Sequence, residues 1–143
     1  MERSAVQLRD RTKRFALRIM KLFRALPQRA DALVVGKQML RSGTSVAANY
    51  RAVCRARSHN EFYSKLCVTL EEADETLLWL ELLSDSGLVN PASVRDLKTE
   101  ANELVAIFAA ARKTARESAS QEISKSANVK SPNQQIAKSA NGN

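Results

Sequence analysis

A chain of 143 residues, 44% hydrophobic and 27% charged, has the composition of one soluble domain. At that length folding removes roughly two-thirds of the surface that the unfolded chain exposes. Four Gly and three Pro leave long runs without a breaker, which argues against a sheet stitched by tight turns. Cys54 and Cys67 form neither a CxxC pair nor, with the single histidine His59, a metal-ligand set.

The first predicted helix runs from about Gln7 to Leu26, with Leu8, Phe15, Ile19, Leu22, Phe23 and Leu26 on one face at three- and four-residue steps. Pro27 stops it, because proline lacks the amide donor and clashes with the preceding turn. A second helix is predicted from Arg29–Asp31 to about Val53, with Leu33, Val34, Met39, Leu40, Val46 and Tyr50 as its apolar contacts. Its middle, Ser42 to Ala48, is built of small residues. A loop there is the competing assignment, since Gly43 costs up to ~1 kcal/mol in a helix interior relative to Ala. The continuous helix is preferred, with Gly43 and Ala47 admitting another backbone at close range.

Ser58-His59-Asn60-Glu61 reads as a capping box that opens a third helix reaching Ser86, and Gly87 is placed for the left-handed cap. Phe62, Leu66, Leu70, Ala73, Leu77 and Leu80 make one stripe on it. Leu78, Trp79, Leu82 and Leu83 fall outside that stripe, so the helix has more apolar circumference than one core requires. A second buried surface, an oligomer interface at Leu78, Trp79 and Leu82, is the expectation. Asn90-Pro91 supplies an N-cap and a first-position proline for a fourth helix, carried by Val94, Leu97, Ala101, Leu104, Val105, Phe108 and Ala111 to about Arg116. Short connections imply antiparallel neighbours. The predicted fold is therefore all-α: an up-and-down four-helix bundle over residues 1–117, followed by a disordered C-terminal tail over 118–143. That tail is rich in Ser, Asn, Gln, Lys and Ala and repeats Lys-Ser-Ala-Asn at 125–128 and 138–141.

Charge is unevenly spread. Residues 1–59 hold 14 Lys/Arg against 3 Asp/Glu, whereas residues 60–86 hold 1 against 7, within a net charge of +8. Arg11, Arg14, Arg18 and Lys21 line one side of the first helix. Arg51, Arg55 and Arg57 cluster where the second ends, with Arg41 upstream. Solvated helices usually mix signs to gain i,i+4 pairs. A one-sign surface is a footprint of phosphate binding, so these eight residues are the candidate nucleic-acid contacts, to RNA or DNA backbone with little sequence preference. The alternative is that the cations pair with the acidic third helix across subunits. No nucleophile–base pair, phosphate loop or ExxH pair emerges, and Glu71, Glu72, Asp74 and Glu75 read as an acidic face, so neither enzyme activity nor a cofactor or metal is expected. With no signal peptide and no membrane span, the expected location is the cytoplasm.

The segment from Gly36 to Arg51, GKQMLRSGTSVAANYR, followed by Ala56-Arg57-Ser58, Glu61-Phe62, Lys65-Leu66, Glu71 to Thr76 and Trp79 to Leu83, resembles the 23S rRNA intervening-sequence family of four-helix bundles. Arg11 to Ala16 also fits, and the likeness covers about residues 8–116. Ala47-Ala48 stand where the family often has Gly-Ala, and Cys54 where a charged residue is common. The resemblance extends to the accessory variability protein of diversity-generating retroelements. It implies a basic homo-oligomer, a pentamer being favoured, with nucleic acid and a reverse transcriptase or other protein as partners. The family has no agreed catalytic residues. Asn49 and Tyr50 are expected to be half-buried, with Glu71 or Glu72 as hydrogen-bond partners.

Overall fold

A computed structural model of the chain describes residues 2–140. Four helices follow in order: α1 Glu2–Ala25, α2 Ala30–Cys54, α3 His59–Asp85 and α4 Pro91–Ala140, with no strand among the described residues. The chain divides into two units, Met1–Arg112 and Lys113–Asn143.

The helix boundaries follow the local signals. α1 ends just before Pro27, and the turn is closed by Leu26 N–H donating to the Phe23 carbonyl and Arg29 N–H to that of Pro27. Ser58 caps α3, accepting from the Glu61 amide at 3.0 Å. The returning arm of the box differs from expectation: the Glu61 carboxylate accepts from the Arg57 amide at 3.4 Å, one residue upstream of the cap. Gly87 adopts φ 80°, the left-handed conformation that a Cβ would strain. The Asn90 side chain then accepts from the Ala92 amide at 3.0 Å to open α4.

In the first unit the helices run antiparallel in sequence. Ile19 of α1 lies against Gly43 of α2 while Phe23 and Leu26 lie against Gly36, so numbers rise on one helix as they fall on the other. On the far side of α2, Thr76 and Ser42 bring their hydroxyl oxygens to 2.8 Å, joining α2 to α3. Their two protons are shared among this contact and the Met39 and Glu72 carbonyls. Tyr50 of α2 meets Phe108 of α4 with ring centroids 5.7 Å apart. Phe15, Ile19, Met39, Leu66, Leu80, Leu83, Leu104 and Phe108 are shut off from solvent. Each such side chain contributes about 1.5–3 kcal/mol on burial, against under about 1 kcal/mol for an exposed ion pair, so the core sets the fold.

Two expectations for α2 are corrected. Leu33 and Val34, predicted as apolar contacts, are 48% and 65% exposed. The inward face runs instead through Ala32, Gly36, Met39, Gly43, Val46, Tyr50 and Val53, because α1 approaches too closely to leave room for larger side chains at the two glycines. The Asn49 amide donates to the Ser45 carbonyl of its own helix at 2.9 Å, not to a glutamate of α3.

The second unit belongs to the helical span of α4, which passes the expected end at Arg116 and reaches Ala140. The backbone from 118 to 140 is helical. The composition does exclude a core: from Ser118 to Asn128 every residue is exposed except the half-buried Ala119. The side chains of Glu2 and Arg3 and those from Val129 on, the second Lys-Ser-Ala-Asn copy at 138–141 among them, lie outside the described structure.

A Cβ at Gly43 would stand 2.9 Å from Ile19 Cγ2 and 3.0 Å from its Cγ1, atoms near the rigid root of a β-branched side chain. Gly43→Val should therefore lose about 1–3 kcal/mol of stability through overpacking, read as a lower urea midpoint.

Candidate nucleic-acid interface

The basic residues of α1 fall on two flanks with different surroundings. On the flank toward α4, the Arg11 guanidinium donates to both carboxylate oxygens of Glu100, through Nε at 3.0 and 3.1 Å, and Nη2 reaches Glu100 and Glu103. The hydrogen bonds from Glu100 hold the Arg11 proton more firmly than usual, outweighing the opposing effect of partial burial. Arg18 shares a shallow depression with Arg11, Asp96, Thr99, Glu100 and Glu103. Asp96, Glu100 and Glu103 recur at i, i+4 and i+7, so α4 sets a row of carboxylates along this flank.

Arg11 is committed to an intramolecular ion pair, whereas Arg18, in the same depression, is exposed and forms no side-chain ion pair among the described residues. Arg41, like Arg11, is committed. Its Nη1 donates to Glu72 at 3.3 Å and its Nη2 to Glu75, raising its pKa through the Glu75 bond first and the Glu72 bond second. Around that pair, the Arg41 Nε donates to Gln38 at 3.4 Å and the Trp79 indole to Glu75 at 3.3 Å. Glu72 Oε2 is buried without a hydrogen-bond partner among the described residues. Leu78 and Leu82 are 46% and 41% exposed on α3, with Trp79 half-buried beside them. Of the apolar excess of α3, Leu78 and Leu82 are thus on the surface of this chain, while Leu83 is buried in the core.

The remaining sequence candidates, Arg14, Lys21, Arg51, Arg55 and Arg57, are exposed and form no side-chain ion pair among the described residues. On the other flank of α1, toward α2, Arg9, Asp10, Lys13 and Arg51 line a groove of about 450 Å³ together with Ala47 and Ala48. Sequence reasoning named Arg51 but missed Arg9 and Lys13. Their i,i+4 spacing was visible, but only the α1–α2 register brings Arg51 to them.

His59 and Phe62 stack with centroids 6.3 Å apart at the start of α3. Among the described residues there is no group of three or more His, Cys, Asp or Glu side chains placed to hold a metal, and no helix long and apolar enough to cross a membrane. Burial, helped by the neighbouring Cys54, pushes the Tyr50 phenol well above its ordinary value of 10.

The first unit is an all-α antiparallel four-helix bundle whose α1–α2 side is cationic and whose α3 bears carboxylates and exposed leucines. The chain belongs to the 23S rRNA-intervening sequence protein family, which matches it over residues 5–110. It is also similar to a protein of unknown function from the S23 ribosomal protein family of Bacteroides thetaiotaomicron, whose crystal structure shares the fold. That likeness has 33% identity and a TM-score of 0.71 over 76% of this chain and 97% of the other. No curated protein matches the sequence.

Two measurements check the electrostatics of the bundle. A double-mutant cycle on Arg11→Gln and Glu100→Gln should give a coupling of about 1 kcal/mol, above that of the exposed Arg9–Asp10 pair, in urea unfolding. A phenol whose folded pKa is raised keeps its proton while the unfolded chain loses one, so stability is full below pH 10 and falls as pH rises past it. Tyr50→Phe should flatten that loss in unfolding measurements between about pH 9 and 11.

Proposed function

We propose that this protein is a non-enzymatic, oligomeric accessory protein that holds RNA or DNA by its phosphate backbone. The observation that carries the reading is the set of exposed cations on α1 and around the end of α2 that no carboxylate pairs among the described residues, Arg51, Arg55 and Arg57 among them. Unpaired guanidinium and ammonium groups attract polyanions and release their counterions on binding, which makes the affinity salt-dependent and insensitive to sequence. Membership of a family named for inserts in 23S rRNA, and the resemblance to a retroelement accessory protein, support nucleic acid as the anion. They also support a cytoplasmic setting, with a reverse transcriptase or another protein as a further partner.

Self-association belongs to the same proposal. Leu78 and Leu82, with Trp79 beside them, offer an apolar patch, and Glu71, Asp74 and Asp85 on the same helix are exposed carboxylates. Such a face meets a basic face of a second copy head to tail, a contact that closes into a ring, with five subunits favoured by the family likeness. A second reading is favoured by the unpartnered Glu72 Oε2: it seeks a donor, and an arginine from another subunit or a protein partner would supply one. In that reading the cations serve interfaces and the protein is a structural adaptor.

Size exclusion with light scattering, run with and without a 23S rRNA fragment, separates the two. A ring-sized particle that takes up RNA at about 50 mM salt and sheds it by about 200 mM is expected, with affinity falling at least tenfold over that range. An assembly that ignores RNA and dissolves in high salt would establish the adaptor in its place.

A further inference from the structure

The groove between α1 and α2 differs from the other charged surfaces of the bundle. Arg9 and Lys13, one turn apart on α1, face Arg51 across a floor made by Ala47 and Ala48. The one carboxylate in its lining, Asp10, lies 3.8 Å from the Arg9 Nε, and both side chains are about half exposed, so this pair neutralises little. Lys13 and Arg51 form no ion pair among the described residues. The depression on the opposite flank of α1 sets Asp96, Glu100 and Glu103 beside Arg11 and Arg18, three carboxylates to two cations, and so lacks a net positive charge.

From this contrast we propose that the α1–α2 groove is where the backbone phosphates of a single polynucleotide strand are seated. The inference rests on the nucleic-acid reading above and gives it a location. Three cations from two helices line one groove, which suits consecutive phosphates. The alanine floor is what lets a sugar-phosphate chain sink between them. Larger side chains at 47 and 48 would hold it beyond hydrogen-bond reach of Lys13 and Arg51. Arg55, one turn beyond Arg51 and also exposed, extends the positive path past the end of the groove. Nothing in the floor reads a base edge, so the groove takes any sequence.

The test compares two variants of equal charge in the full-length chain. Lys13→Gln with Arg51→Gln removes two cations from the groove. Lys37→Gln with Arg95→Gln removes two exposed cations elsewhere. Binding of a fluorescein-labelled single-stranded oligoribonucleotide is followed by anisotropy across a salt series, with circular dichroism checking that helicity is kept. The groove variant should bind more weakly, and its slope of log K against log salt should shrink by about 1.4, two phosphate contacts' worth for a single strand. The control should keep its slope. Ala48→Glu, an exposed position in a helix that tolerates glutamate, places a carboxylate on the floor and should weaken binding as much without touching a cation. If both double variants weaken binding equally and Ala48→Glu does not, the groove is refuted while the nucleic-acid reading stands. If the wild-type chain binds no RNA or DNA at low salt, both are refuted.

Discussion

The bundle depends on how closely α1 lies on α2. Gly36 and Gly43 stand seven residues apart, two turns, on the face of α2 that receives Leu26, Phe23 and Ile19. With no Cβ at these points the α1 side chains descend onto the α2 backbone, and dispersion contacts replace what side-chain volume would otherwise supply. The remaining packing follows. Once α1 is pressed into α2, the opposite side of α2 is turned toward α3, where Ser42 and Thr76 meet, and Phe108 of α4 reaches Tyr50. The same close approach brings Arg9 and Lys13 within one groove of Arg51. A structural constraint at Gly43 therefore also determines where positive charge gathers.

Charge in this protein is sorted by partner as well as by position. Both flanks of α1 look alike in sequence, each with basic residues at helical spacing. The fold places a carboxylate row beside one and alanines beside the other. Arg11 and Arg41 act as fasteners, one tying α1 to α4 and the other α2 to α3. The cations that remain open are those that the bundle does not use for its own cohesion. The family match over residues 5–110 falls within the first unit, so both the fasteners and the open cations lie in the shared region.

Much of the fold was legible because its signals are local. Pro27, the Ser58–Glu61 box, Gly87 and Asn90-Pro91 each act within a turn of the boundary they mark, and three- and four-residue apolar steps name most of the core. The continuous α2 was legible too, through the small residues around Gly43. What escaped the sequence depends on distant partners. Glu100 lies 89 positions from Arg11, so nothing near Arg11 announces that its charge is taken. Leu33 and Val34 have the hydrophobicity of core residues, and only the rotation of α2 imposed by Gly36 leaves them outside.

The Arg11–Glu100 contact has a kinetic meaning as well. The α1–α2 and α2–α3 pairs join neighbours through turns of a few residues, so they close small loops and can form early. Arg11 and Glu100 join the first helix to the last, and the loop between them contains nearly the whole bundle. Such a contact gains little until the intervening helices are in place, so it is expected to form on the downhill side of the folding barrier. Interactions of that kind leave the rate of folding alone and lengthen the life of the folded state. The Arg11–Glu100 salt bridge is thus expected to work as a latch, closing late and lengthening the life of the folded bundle.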